Sequence, residues 1–496
     1  LLQRLEDVAW NGQFYTHHVS EDPSFKRDVG GTDESAQVTL SNAYALNRRI
    51  GAAKCKAIIR TYQRLREEMP AASPGEFYNC YPPFEKGFGK QDGMWQYMNG
   101  GVSTIVAGEL ARGAFENGFE AYGADILDRV LELAERHGGR LNVCFNGNPQ
   151  TDPPRREFTP VDLSEHANVT AAWRETGGWG DPGNDLSRMP TGKQEFAHVP
   201  FYINREGRGL GISHTRSGFA DEIRLPVNGR HAALYLFHTG NAAGSPMAEM
   251  EVVYDGDTEP VTEYIATGRQ LDGWFMPGAG EMGGSCHAPK LPKGWPPYRL
   301  AWRGANDTFE NVGISIWGWD NPHPDREIKE IVFRAARNNS TWFIPGLTFC
   351  DHPVWFPQSD LSFGIPDCWG AAAVVYALLE GIAGIVDDGV AFDRSTVAPR
   401  WAATEVDHVD AAATYPASDG YAAYHYERAG DLLKVDVAAN ADQVNFRLLL
   451  PEGRSAATVT VNGAPVEFRT ESVEASRYVA LPFTDRGAHT VEVTLA

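Results

Sequence analysis

Three short stretches combine carboxylates or an amide with aromatic rings: Thr32-Asp33-Glu34, Tyr97-Met98-Asn99-Gly100-Gly101 and Pro366-Asp367-Cys368-Trp369. Trp95 stands just ahead of the second, and Trp10, Phe14 and Tyr15 lie ahead of the first. Asp92 sits in the aromatic, Pro-containing stretch 77–95 that leads into Trp95. Carboxylates that converge beside aromatic platforms suit sugar rings. The carboxylates bond hydroxyls or act as acid and base, and the rings stack on C–H faces. Each residue also has a plainer reading. Asp33 or Asp367 ahead of a helix is more often an N-cap than a catalyst; Glu34 fits the capping role less well. Asn99-Gly-Gly reads as a turn, or as a place where glycine lets a ligand approach the backbone closely. His17-His18 reads as a surface or packed pair rather than a metal site, because adjacent side chains diverge.

These residues need elements to bring them together. The acidic turn at 32–35 opens a helical stretch running through Val38, Leu40, Tyr44 and Leu46 to Gly51. A second helix follows over 54–69, with Ile58, Ile59, Tyr62 and Leu65 on one face and Lys56, Arg60, Arg64 and Glu68 on another. Residues 102–115 are apolar or small nearly all round, which predicts a buried helix; 122–136 is again amphipathic. Alternation of buried and half-wetted helices points to two concentric rings built from antiparallel hairpins. Parallel inner helices gather their starts at one end, where the helix dipole favours negative charge. Neighbours on a helix diverge by about 100°, so only one of Asp33 and Glu34 faces such a funnel; the other caps or pairs with a base such as Arg27. A carboxylate at a helix start suits a general base. A general acid needs burial against a wall such as Trp10 or Trp369.

From about residue 151 the texture changes to turn residues between short alternating strands, as in 222–227, 232–237, 248–256 and 312–319. The expected organisation is helical hairpins over 1–150, an inserted β-sandwich over 151–348, a returning apolar helix over 349–385, and a C-terminal β-sandwich over 386–496. The returning helix must pack on the first helical group, since an all-apolar helix cannot stand alone.

The chain has 496 residues, enough for several cores, with 42% hydrophobic residues. Forty-four Lys and Arg against 65 Asp and Glu leave a formal charge of −21, which argues against a nucleic-acid or anionic-membrane partner. No stretch reaches the roughly 18 apolar residues of a membrane helix. The six cysteines, at 55, 80, 144, 286, 350 and 368, form no Cys-x-x-Cys pair and no disulfide scaffold. The first residue is Leu and no leader pattern follows it, so the reading expects a segment upstream and assigns no compartment.

Trp10-Asn11-Gly12-Gln13-Phe14-Tyr15, the run Asp33-Glu34-Ser35-Ala36-Gln37-Val38-Thr39-Leu40-Ser41, and Tyr97-Met98-Asn99-Gly100-Gly101-Val102 resemble bacterial six-hairpin glycosidases. So do Asp367-Cys368-Trp369-Gly370 and Val397-Ala398-Pro399-Arg400-Trp401. The resemblance covers roughly residues 1–145 and 350–405. It implies an (α/α)6-type helical toroid, shared with cellobiose-phosphorylase-like and debranching-like enzymes. Roughly seven helices are legible where a closed ring takes roughly twelve, so the toroid is expected to be incomplete in this chain, completed by upstream helices or a partner copy. In the phosphorylase-like relatives the proton donor lies upstream of the Trp-Asn-Gly stretch. In the insert, Gly177-Gly178-Trp179-Gly180-Asp181 and Trp319-Asp320-Asn321-Pro322-His323 resemble galactose-binding-like jelly rolls. The latter run reads equally as a tight turn at a sandwich edge, and Trp319 is the ring to test for glycan binding.

The resemblance implies a glycoside hydrolase acting on an oligo- or polysaccharide. Catalysis would be by Glu34, Asp33 and Asp367, with inversion favoured, and the carboxyl separation would be about 6.5–9.5 Å. Trp10, Tyr15, Asp92, Trp95, Tyr97, Asn99 and Trp369 are the expected substrate contacts. No cofactor is implied; a structural Ca²⁺ in a sandwich is compatible, at no named residue. A phosphorylase or polysaccharide lyase on the same fold and a non-catalytic glycan-binding protein are the alternatives.

Overall fold

The computed structural model describes residues 2–18, 22, 24, 31–86, 93–149, 152–275, 277, 298–357, 360–366, 368–484 and 486–496. Asp92, Asp367 and Arg27, all named above, lie outside the described residues. The chain divides into two compact units: Leu1–Asn148 together with Asp360–Ala496, and Pro149–Ser359. The architecture is mixed and strand-rich.

In the first unit the α-helices are α1 (Leu2–Ala9), α2 (Ser41–Leu46), α3 (Ala52–Glu68), α4 (Thr104–Glu116), α5 (Glu120–Arg136) and α6 (Cys368–Tyr376). The apolar character of 102–115 explains the centre of this group. α4 buries Val106, Ala107, Leu110, Ala111 and Ala114 completely and packs against α2, α3, α5 and α6. Two of its glycines set how closely the neighbours come. A Cβ on Gly108 would lie 2.4 Å from the Ala373 backbone of α6, and one on Gly113 would lie 2.6 Å from the Leu46 side chain of α2. α3 is amphipathic as its spacing predicts: Cys55, Ile58, Ile59, Tyr62 and Leu65 are buried.

The stretch from Asp33 to Gly51 departs from the expected single helix. Glu34–Ala36 is one 3-10 turn, Val38–Thr39 pairs as a strand with Cys80–Tyr81, and α2 begins only at Ser41. The β-branched pair Val38-Thr39 favours the strand. Thr32-Asp33-Glu34 therefore does not start an inner helix. The returning helix also differs: α6 ends at Tyr376 and continues as a π-helical turn, Ala377–Ile382. The buried Arg400 guanidinium donates to the carbonyls of Glu380, Gly381 and Ala398 at its end. Six α-helices are present among the described residues, and they do not close a ring.

The C-terminal part of this unit pairs a five-stranded with a six-stranded sheet around Tyr426, Val435, Leu448, Val479, Val491 and Val493. Its strands alternate inside and outside, the period expected of half-buried strands. Glu120, 3% exposed at the start of α5, accepts hydrogen bonds from Ser476 Oγ and the Tyr478 hydroxyl, joining the helices to this sandwich.

The second unit contains strands and no helix among its described residues. A four-stranded sheet faces a seven-stranded one across an apolar layer that includes Leu225, Met250, Phe333, Leu236, Trp317 and Trp342. The central strands Ala233–Asn241, Val312–Asp320 and Thr341–Cys350 are buried on both faces, because a second apolar layer covers the far side. The strands expected to alternate at 232–237 and 312–319 are thus buried on both sides, as continuous apolar runs allow.

Candidate functional site

Backbone pairing gathers several loops at one end of the helical group. Leu40 N–H, just ahead of α2, donates to Asn79 O, and Asn79 N–H donates to Gly101 O. Val102–Ser103, leading into α4, pairs with Asn142–Phe145, which pairs in turn with Leu361–Pro366, leading toward α6. The starts of α2, α4 and α6 are thereby linked edge to edge.

The Trp10–Tyr15 stretch is a tight turn. Asn11 Oδ1 accepts the Gln13 and Phe14 N–H groups, and Gly12 takes φ +96°, which glycine adopts without strain. Tyr15 is 8% exposed. Its backbone N–H and C=O both bond the Asn42 side chain, and its hydroxyl donates to Glu6 Oε1 at 2.6 Å. Burial raises its pKa, with the neighbouring Cys55 adding to the effect. Trp10 lies edge-on to Tyr15 at 5.0 Å, under the Lys54 ammonium. These two rings anchor the N-terminal segment onto α2 and α3.

Asp33 and Glu34 separate as neighbours must. Asp33 caps the 3-10 turn, accepting from Ser35 N at 3.0 Å and Ser35 Oγ at 2.7 Å. Those two bonds hold its exposed carboxyl below the ordinary range. Glu34 turns instead toward His17: Oε1 lies 3.5 Å from Nε2, and both side chains are under one-fifth exposed. His17 meets the Phe84 ring edge-on at 6.1 Å. Gln37 is fully buried; its Nε2 donates to Pro82 O at 2.6 Å, while its buried Oε1 meets no donor among the described residues. Thr32 Oγ1 bonds Pro83 O, so the whole 32–37 segment lies along 82–85.

Asn99 enters from the other side. It is fully buried, and its amide clamps the Phe84 backbone, accepting from N–H at 2.6 Å and donating to C=O at 2.9 Å. The following glycines are required by packing: a Cβ on Gly101 would sit 2.4 Å from Cys144 Sγ and 2.5 Å from Tyr97 O. Trp95 and Tyr97 both take positive φ, +71° and +37°. Bulky residues adopt that region only under constraint. The constraint is visible: Tyr97 N–H donates to Ser362 Oγ at 2.6 Å, Asn79 Nδ2 donates to Tyr97 O, and Gly147 N–H donates to Trp95 O. Trp95 completes an aromatic group with Tyr78 and Tyr81, with centroids 4.9–6.2 Å apart.

Glu34 and Asn99 are therefore brought into one cluster through His17 and Phe84. Asp33 points into its own capping bonds, and Trp10 and Tyr15 serve the N-terminal anchor. Trp369, on the first turn of α6, is 67% exposed. Two groups were not legible as site residues. His17 carries no spacing signal that distinguishes it from a surface histidine. The His137–Asp360 pair, 3.0 Å apart, joins residues more than 200 positions apart beside the Tyr97 loop. Among the described residues no three His, Cys, Asp or Glu side chains gather as a metal site. A cavity of about 280 Å³ lies along α3, lined by Gln13, Ala53, Lys56, Ala57, Arg60, Thr61 and Arg64; it holds no carboxylate and is separate from the Glu34 cluster.

The motifs of the second unit are structural. Trp179 is 1% exposed, stacked on Phe343 at 5.6 Å. Trp319 is 3% exposed, and its indole N–H donates to Glu263 Oε1. Asn321 accepts from the Tyr254 hydroxyl and from His323 N–H and donates to His231 O, which makes the run a turn at the sandwich edge. Trp319 has no face to offer a glycan.

No family model matches this chain, and no curated protein does. Among solved structures, an alpha-L-rhamnosidase from Dictyoglumus thermophilum is similar over 29% of this chain and 16% of that one, at 10% identity and a TM-score of 0.21. The chain thus spans about one-sixth of that relative's length, and a likeness so slight carries no argument.

Proposed function

We propose that this protein is a carbohydrate-active enzyme, a glycoside hydrolase in which Glu34 acts as general acid or base. The observation that carries the reading is the Glu34–His17 pair: a shielded carboxylate beside an imidazole, where three loops meet next to an aromatic group. A carboxylate there can exchange a proton with a glycosidic oxygen or a water, and the imidazole opposite it can hold that proton's position. The sequence resemblance supports the same reading and suggests that the α2–α4–α6 layer is a sector of an (α/α)6-type toroid. The outward stripe of α6, with Trp369, Val375 and Tyr376 all more than half exposed, fits a helical layer that continues beyond these helices. The second carboxylate is assigned to Asp367 by the resemblance alone, and inversion rests on it as well.

The test is product analysis on a panel of oligo- and polysaccharides with the wild-type chain and Glu34→Gln. New reducing ends formed by the wild type and lost in the variant support hydrolysis. Phosphate-dependent release of a sugar phosphate would assign a phosphorylase instead. An unsaturated, ultraviolet-absorbing product would assign a lyase, an outcome that His17 in the cluster makes worth measuring. Binding without any product would leave a glycan-binding protein.

A further inference from the structure

Arg299 in the second unit has a charge that the described fold leaves unanswered. It lies on the strand Tyr298–Gly304, opposite Ile316. Tyr298 beside it packs against the apolar layer between the two sheets, so Arg299 takes the other face by strand alternation. There its guanidinium lies over the Phe356 ring, 5.6 Å from the centroid, and Phe356 is itself 7% exposed within the second apolar layer. Arg299 Nε is buried, and among the described residues neither a carboxylate nor a carbonyl meets the guanidinium.

The contrast with other arginines is direct. Arg129, Arg112, Arg428 and Arg447 each pair with a carboxylate, and Arg400 and Arg216 donate through Nη to backbone carbonyls, although the buried Nε of Arg400 also meets no acceptor among the described residues. One residue before Phe356, Trp355 stacks with a second guanidinium, Arg156, at 5.0 Å. Arg156 bonds the carbonyls of Trp355 and His198, and no carboxylate among the described residues pairs with it. A guanidinium stays charged inside proteins, and a ring face compensates only part of its lost hydration. Burial accordingly pushes the Arg299 pKa down. Two guanidinium groups thus lie on consecutive rings of one loop, whose Val354 N–H is held by the Asp320 carboxylate.

We propose that Arg299, over Phe356, anchors an oxyanion-binding site in the second unit, taking a carboxylate, sulfate ester or phosphate ester presented by a ligand. Where the carrier of the oxyanion is named, as an acidic sugar, the inference rests on the carbohydrate reading above; the oxyanion site itself does not.

The experiment uses the full chain, with sodium sulfate, sodium glucuronate and glucose as probes at ionic strength matched with sodium chloride. Calorimetric titration and thermal shift are read for wild type, Arg299→Met and Arg299→Lys. The expected result is saturable binding of at least one oxyanion by the wild type, about tenfold or more weaker in Arg299→Met, with no response to glucose. Arg299→Met without anion is expected to melt at or above the wild type, since a half-buried cation without a carboxylate partner among the described residues has gone. A response to sulfate alone assigns the site to tetrahedral oxyanions, and a response to glucuronate alone assigns it to carboxylates; either supports the site. No saturable response beyond the chloride control, or equal affinity in Arg299→Met, overturns it. Should Arg299→Met not fold, Arg299→Lys decides: it keeps the charge but loses the planar fork, and unchanged affinity overturns the proposal. Failure of the hydrolase reading is seen separately, in Glu34 turnover, which this measurement does not touch.

Discussion

Two runs in this chain look chemically alike on paper: Asp33-Glu34-Ser35-Ala36-Gln37, and Trp319-Asp320-Asn321-Pro322-His323. Both combine acids and amides, with aromatic rings in or near them. In the second run nearly every polar group is committed. Trp319 bonds Glu263, Asp320 accepts from Val354 N–H, and the Asn321 amide closes a turn against Tyr254, His231 and His323. In the first run, Asp33 is committed to Ser35, Glu34 is paired with His17, and the buried Oε1 of Gln37 meets no donor among the described residues. The difference teaches that residue type does not separate a site from a scaffold. What differs between the two runs is where their polar groups are spent: within one turn and its neighbouring strands in the second, and partly on the distant His17 in the first.

The sharpest way to break this comparison is to change the two adjacent acids of the first run separately. Glu34→Gln is expected to lose about 10²- to 10⁴-fold in turnover on the cognate glycan, with an unchanged circular dichroism spectrum. Asp33→Asn should keep turnover within a few-fold. Equal losses in both, or wild-type turnover in Glu34→Gln, would move the chemistry away from the His17 pair.

The scaffold side of the comparison predicts a stability effect in place of a binding effect. Trp319→Ala removes a buried indole and its bond to Glu263, and is expected to cost about 3–5 kcal/mol in chemical denaturation. Glycan affinity measured under folded conditions should not change.

Asn99 tests the boundary between the two categories, since its amide is spent on Phe84 although it lies in the candidate cluster. Asn99→Ala removes both of its bonds to the Phe84 backbone and should cost about 1–3 kcal/mol. The loosened Phe84 should also displace His17 and lower turnover. If turnover survives at full stability loss, the clamp is purely structural.

The smallest effect is a pH dependence confined to the scaffold. His238 is fully buried; its Nε2–H donates to Gln270 O, and its Nδ1 accepts from the Trp342 indole. Burial pushes its pKa down to about 3 from 6.5. The neutral form is thus built into the fold. Above pH 6.5 both folded and unfolded chains carry it neutral, and no pH dependence arises. As pH falls from 6.5 toward 3 the unfolded chain takes up a proton that the folded one refuses, and stability declines by at most about 1.4 kcal/mol per pH unit. Urea titrations across that window should show this component in the wild type and lack it in His238→Gln.

Much of the architecture was legible in one dimension because burial imposes periodicity. The faces of α3 and α5 and the all-round burial of α4 follow from a 3.6-residue repeat, and strands at 232–237 and 312–319 were legible as strands, although read as alternating where the fold buries both faces. The failures have local causes. Val38-Thr39 carries strand propensity inside a helical pattern, and its pairing with Cys80–Tyr81 depends on a partner 40 residues away. Trp319 reads as a ring at a sandwich edge, yet its face of the strand is the one packed between the two sheets.

The sequence by itself determined the buried faces of α3 and α5, the burial of α4, and that one of two adjacent acids must diverge from its neighbour. Tertiary structure alone decided which acid it is. Asp33 caps because Ser35 follows it by two residues, a local fact, but Glu34 meets His17 only because the 32–37 segment is laid along Pro82–Glu85 and held there by Asn99. The same holds for Arg299: its charge is plain in the sequence, and its lack of a partner is not. Leftover valence is a property of how distant segments pack, and no spacing along the chain records it.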